Sequence, residues 1–299
     1  MRKMKKILLI VLPVVILLCA AGGAAFHLIR LSPTPPAPND ASPYTYNQLI
    51  WSDEFSGSKL DETKWRCMYG TGPEEGYPAY WGNNEMQKYR EKNAVVQDGH
   101  LAIRVIKEDA EDMHYTSARL TTSGLFSFTY GRVEARMKLP VEAEGLWPAF
   151  WMLPNGQPAD WPYGTWAASG EIDIMENRSR VPGEVSGAAH HGGAWPENIV
   201  DFKAYKFPKG ESGVQDWHIY TLEWSPDRLV WYVDGNAYFT LEDWFSGTGS
   251  QAQGPPQPFD SPFCLIMNCA VGGNYDENRA PDAGFADAEM LVDWVRVYQ

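Results

Sequence analysis

Cysteine is scarce in this chain: four residues in 299, of which Cys67, Cys264 and Cys269 lie beyond the apolar N-terminal stretch. An odd number argues against a disulfide framework, and without a CxxC or HExxH pattern nothing points to zinc. Cys264 and Cys269 are five apart in an apolar run, so on a regular strand they face opposite sides as buried thiols. Positive charge is also in short supply. Lysine and arginine number 25 against 38 acids, a net −13. Five of those bases stand in residues 1–30, which hold no acid, so the remainder carries 20 bases against 38 acids, or −18. Binding nucleic acid requires basic patches, and none is visible. Long-range repulsion disfavours a polyanionic substrate as well. A neutral polymer fits better.

Helical periodicity is the third absence. Short alternating segments predominate: His100–Ile106, Gly131–Leu139 and Leu229–Val233 carry period-two or β-branched patterns between turn signals. Asp98-Gly99 and Asp234-Gly235 are strong turn dipeptides, the second placed as in a tight hairpin. Leu291–Tyr298 reads as a final strand with Asp293, Val295 and Val297 on one face. One or two short helices are expected near Glu242–Phe245. Many short strands and Gly/Pro-rich turns imply an all-β antiparallel sandwich.

What the chain has in excess is aromatics, with 13 Trp and 15 Tyr. Their polar handles need partners when buried, so part of the set is expected to line a surface or groove, a bed for flat, weakly charged sugar rings. At the N-terminus, a basic Met1–Lys6 precedes apolar residues 7–26 ending in small residues. Residues 1–30 therefore read as a signal peptide or a retained membrane anchor. Residues 31–46, with four prolines between 33 and 38, read as a linker, and 47–299 as one catalytic domain.

The segment Glu171-Ile-Asp-Ile-Met-Glu176 is the sharpest feature. On a regular strand, Glu171 and Asp173 share one face and Glu176 falls on the other, among apolar residues, which is costly for an unpaired charge. A one-residue β-bulge at Ile174–Met175 would return Glu176 to the face of the other two acids. Carboxyls so crowded push at least one pKa upward, as a general acid at neutral pH requires. Two carboxyls about 5–5.5 Å apart are the machinery of a retaining glycosidase. A solvated acidic strand face is the competing reading of the segment alone.

This segment resembles the active-site signature of glycoside hydrolase family 16, in the bulged form of laminarinases (endo-1,3-β-glucanases). The likeness runs from Trp51 to Tyr298 and includes Trp51-Ser-Asp-Glu-Phe55, Trp81-Gly-Asn-Asn-Glu85, Tyr130–Pro140, Gly145–Pro154, Glu223-Trp224, Asn268–Gly273 and Val292–Tyr298. The resemblance implies a β-jelly-roll of two curved antiparallel sheets with an open concave cleft. It implies Glu171 as nucleophile, Asp173 as its assistant and Glu176 as acid/base, with no cofactor in catalysis. Trp147 and Trp166 resemble ring-stacking cleft residues; Trp151 divides between cleft and core. Asn84, Glu85 and Arg132 resemble polar contacts to sugar, and His190 the cleft histidine that tunes the acid/base. His191 departs from the aromatic usual at its place, and the Asp160–Thr165 loop is expected to narrow the cleft or add a subsite through Trp161. A structural Ca²⁺ held by Glu54, the Gly99 carbonyl and Asp293 is implied too. The expected activity is retaining, endo-acting hydrolysis of β-1,3 linkages in a β-glucan such as laminarin, extending to mixed β-1,3-1,4-glucan. A transglycosylase and a non-catalytic glucan-binding module are the alternatives, the latter disfavoured by the intact acids. The expected partner is the polysaccharide alone, for a monomer that meets membrane only through residues 7–26, secreted or anchored on the outer face.

Overall fold

The computed structural model describes residues 44–299 and the short strand Leu28–Arg30. The apolar stretch 7–26 lies outside the described residues; among those described, no helix is long and apolar enough to cross a membrane. Tyr46 Oη donates to the Trp224 carbonyl at 3.1 Å, so the last residues assigned to the linker are already tied to the domain.

Alternation builds the frame. In Gly131–Lys138, Val133, Ala135 and Met137 are fully buried while Arg132, Glu134, Arg136 and Lys138 face outward, half-buried. Eight strands form one sheet, in the order Leu28–Arg30, Asn198–Lys206, Glu184–Gly192, Glu171–Glu176, Leu146–Pro154, Phe263–Val271, Arg119–Thr121 and Arg66–Met68. The other sheet runs Asn236–Leu241, Leu229–Val233, His218–Trp224, Gly131–Lys138, Asp287–Tyr298, His100–Ala110, Met113–Ser117 and Gln87–Tyr89. Leu49–Asp53 and Ala94–Gln97 join it by pairing with Asp287–Tyr298 and His100–Ala110. Seven of these sixteen pairings join strands consecutive in the chain; the rest bring together strands distant in sequence, as in a jelly-roll. Both turn dipeptides close two-residue hairpins, with Asp98, Gly99, Asp234 and Gly235 all at positive φ, as a type I′ turn requires.

Between the sheets lies a continuous apolar core that includes Phe150, Met152, Ile172, Leu265 and Met267 from one side and Val133, Leu222, Trp231, Val292 and Val297 from the other. Cys269 belongs to this core, whereas Cys264 packs on the opposite face with Leu153, Trp161 and Ile266; both are free thiols, as is Cys67.

Two expectations are corrected here. The pairing of the final strand with Gly131–Lys138 shifts register between Val292 and Trp294. Val292, Val295 and Val297 therefore face the core while Asp293 turns outward to Arg136 at 2.6 Å, because a bulge lets the acid avoid burial. No helix forms at Glu242–Phe245: Trp244 is buried with its indole N–H on the Pro256 carbonyl, and a 3₁₀ turn follows only at Gly249–Gln251.

Candidate active site

The catalytic-strand candidate, Glu171–Glu176, lies between Leu146–Pro154 and Glu184–Gly192. Its register with the first is Met152↔Ile172, Trp151↔Asp173, Phe150↔Met175 and Ala149↔Glu176, which leaves Ile174 without an opposite. Across the second, Asp173↔Ala188 and Glu176↔Ser186 place two residues against Gly187 alone. The bulge inferred from the sequence is thus present at Ile174–Met175. Ile172, Ile174 and Met175 enter the core; Glu171, Asp173 and Glu176 share the outer face with Trp147, Trp151 and His190. The core side is plugged by Trp231, whose indole donates to the Asp173 carbonyl at 2.7 Å. A Cβ at Gly187 would collide with that ring. The residue opposite the bulge therefore has to be glycine.

Each glutamate has its own indole. Trp166 Nε1 donates to Glu171 Oε2 at 3.0 Å, and Trp147 Nε1 to Glu176 Oε1 at 2.9 Å. His190 Nε2 stands 3.5 Å from Glu171 Oε1 and 3.1 Å from Asp173 Oδ2. All three carboxyls are pushed up to about 8, chiefly by burial and, for both glutamates, next by the Asp173 charge, with His190 and the indoles opposing the rise. Such a trio titrates as a unit, holding shared protons near neutrality. One member can then donate a proton while another stays ionised.

The flanking residues are held firmly. Trp147 stacks on Tyr275, with ring centroids 5.0 Å apart, and Gly273 at φ +80° leaves room for its edge, since a Cβ there would fall 2.9 Å from Cζ3. Trp166 lies tilted against the His190 ring at 5.3 Å. Trp151 faces this outer surface rather than the core and donates to Asn268 Oδ1 at 2.8 Å. Asn268 in turn donates to Tyr89 Oη, and Tyr89 to Glu85 Oε2 at 2.9 Å.

Of the other expected contacts, Arg132 and Trp161 are placed differently. Glu85 is 3% exposed; Gln87 and Tyr89 both donate to its Oε2, and Oε1 has only Asn83 Nδ2 at 3.5 Å. Asn84 is exposed, in a left-handed turn, and donates to Asn274 Oδ1 at 2.7 Å. Arg132 is not in the cleft: it lies on the outward face of the other sheet, 3.3 Å from Glu134 and over the Tyr298 ring, because alternation sends Val133 inward and Arg132 out. Trp161 is buried with Leu153, Cys264 and Ile266, so the 160–165 loop gives it no open ring face. His191 points into the interior, 2.9 Å from Asp201 Oδ2, and its departure from an aromatic leaves the cleft surface untouched.

Two residues beside the site escape a sequence reading. Arg119, 3% exposed, is clamped among Tyr77, Trp81 and Trp151, its guanidinium carbon 4.4 Å from the Trp81 centroid. A charged residue between Ala118 and Leu120 in a short strand was its signal. Trp195, 56% exposed, is tied by its backbone N–H to the Trp166 carbonyl at 2.8 Å, and follows a Gly-Gly pair that marks the loop. The three residues expected to hold calcium all offer oxygen donors. Arg296 occupies both oxygens of Glu54, Arg136 reaches only Oδ2 of Asp293, and Gly99 sits in its hairpin turn.

The profile of glycosyl hydrolases family 16 matches residues 79–296. Glucan endo-1,3-beta-glucosidase A1 of Niallia circulans is 46% identical over 269 residues, covering 84% of this chain and 38% of that protein. The beta-glucanase of Rhodothermus marinus is 39% identical over 267 residues, covering 84% of this chain and 85% of that one. The laminarinase catalytic domain of Thermotoga maritima superposes with a TM-score of 0.72 at 37% identity, over 84% of this chain and 98% of that one.

Proposed function

Because this chain belongs to the family 16 glycosyl hydrolases, we propose that it hydrolyses internal β-1,3 linkages of a neutral β-glucan by double displacement with retention. The observation that carries this reading is the bulge: it brings Glu171, Asp173 and Glu176 to one face, each glutamate fixed by an indole. Protonated Glu176 gives its proton to the glycosidic oxygen as the Glu171 carboxylate attacks the anomeric carbon. The leaving chain departs, and a glycosyl ester remains on Glu171. Glu176, now ionised, takes a proton from water, which attacks the same carbon, frees Glu171 and restores the starting state. Asp173, beside His190, holds charge and proton between the two glutamates. The likeness to relatives named for endo-1,3-β-glucanase activity supports the linkage; mixed β-1,3-1,4-glucan is the secondary substrate. The test is Glu171→Gln and Glu176→Gln, assayed on laminarin with the product anomer followed by NMR. Each is expected to lose on the order of 10³-fold or more in kcat with the fold unchanged; an inverted product or substantial residual turnover overturns the assignment.

Two lesser proposals accompany it. Residues 1–30 act as an export signal or anchor that places the domain outside the cell, which the mass of the mature chain decides. Glu54, the Gly99 carbonyl and Asp293 hold a structural calcium ion, whose hard oxygen preference matches these donors. Because Glu54 must then release Arg296, binding is weak, and a chelator is expected to lower the melting midpoint by only about 2–4 °C, the equivalent of roughly 1 kcal/mol in a domain of this size. An unchanged midpoint removes the ion.

A further inference from the structure

We propose that Glu171, Asp173 and His190 form a zinc-binding site in the cleft, so that Zn²⁺ occupies the site in competition with substrate. One imidazole nitrogen and two carboxylate oxygens, one from each residue, lie within 4.8 Å of one another. Zinc bonds to nitrogen and oxygen are about 2.0–2.2 Å, so tetrahedral ligand atoms stand about 3.3 Å apart. The His190 Nε2 separations of 3.1 Å to Asp173 Oδ2 and 3.5 Å to Glu171 Oε1 bracket that edge. Buried Asp173 Oδ2, at 4% residue exposure, has no hydrogen-bond partner despite its nearness to the ring nitrogen. The two atoms are close but not aligned with each other, as two ligands flanking a cation are. The strand pairs Glu171 with His190 directly and Asp173 with Ala188, so the ligands project from adjacent rigid strands and need little rearrangement. Three protein ligands leave a fourth position open to water or to a substrate hydroxyl. An imidazole with two carboxylates favours zinc over magnesium or calcium, which prefer all-oxygen shells.

The site differs from the other histidine–carboxylate pairs. His114–Asp109 and His218–Asp234 join one histidine to one acid, and His191–Asp201 is sealed in the interior. Binding itself is independent of the activity proposed above; the inhibition rests on that activity.

Titration calorimetry of the full chain with zinc chloride, without glucan, is the experiment, accompanied by melting with and without zinc. One ion per chain and a raised midpoint are expected. Glu171→Gln and His190→Asn are each expected to weaken zinc binding at least about 10-fold, with His114→Asn as a control that leaves it intact. With laminarin present, zinc is expected to inhibit competitively while magnesium does not. Absence of heat and midpoint shift at millimolar zinc, or binding that survives both cleft substitutions, overturns the site. If zinc binds as described but the wild-type chain shows no glucanase activity, the proposed function fails and the metal site stands.

Discussion

On the outward face of the larger sheet, acids stand beside arginines: Asp293 is 2.6 Å from Arg136, Glu289 2.7 Å from Arg104 and Glu134 3.3 Å from Arg132. On the outward face of the eight-stranded sheet, Glu171, Asp173 and Glu176 meet one histidine and two indoles. Both faces use a bulge to keep an acid out of the core, at Asp293 in one case and at Glu176 in the other. The device is the same and the electrostatics differ. Where arginine compensates the charge, the acid serves structure; where burial crowds three carboxyls without a matching cation, protons must be shared, and the face is prepared for acid–base chemistry.

The harshest way to break this contrast keeps composition constant. Exchanging Met175 and Glu176 (M175E together with E176M) sends a carboxyl into the core position Met175 occupies and a thioether into the cleft. Laminarin hydrolysis is expected to vanish, with destabilisation of several kcal/mol measured by urea unfolding; a folded, active double variant would end the orientation argument. A smaller effect sharpens the electrostatic side. The Glu176 carboxyl is raised by burial, so the native state holds its proton more tightly than the unfolded chain. Its favourable contribution is complete below the ordinary carboxylate range, near pH 4, and is lost as pH rises toward about 8. Glu176→Gln, which keeps an acceptor for Trp147, is therefore expected to gain stability relative to wild type between pH 5 and about pH 8, as seen by unfolding at both values. A pH-independent difference would count against a raised carboxyl. Smallest of all, Arg136→Met on the compensated face is expected to cost at most about 1 kcal/mol, since that pair is half-exposed and screened. Laminarin turnover should not change.

The strand frame, both hairpin turns and the bulge were legible because they are local: alternation, Asp-Gly dipeptides and the odd spacing of Asp173 and Glu176 each act within a few residues. Errors came where the outcome depends on partners distant in sequence. Arg132 reads like a ligand donor until pairing shows which sheet carries it, and Asp293 follows regular alternation until the register shift turns it outward. Trp161 was a surface aromatic in sequence, yet Cys264 and Ile266, a hundred residues on, cover it. Arg119 was missed because its three aromatic walls come from the 77–81 loop and from Trp151. No spacing rule links these segments.

Trp166 touches the machinery twice, through its N–H to Glu171 and through its ring against His190. Any tilt of that indole would change its hydrogen bond to Glu171 and its packing on His190 at the same moment. The two contacts are thus mechanically one. Truncating this ring would remove both contacts together.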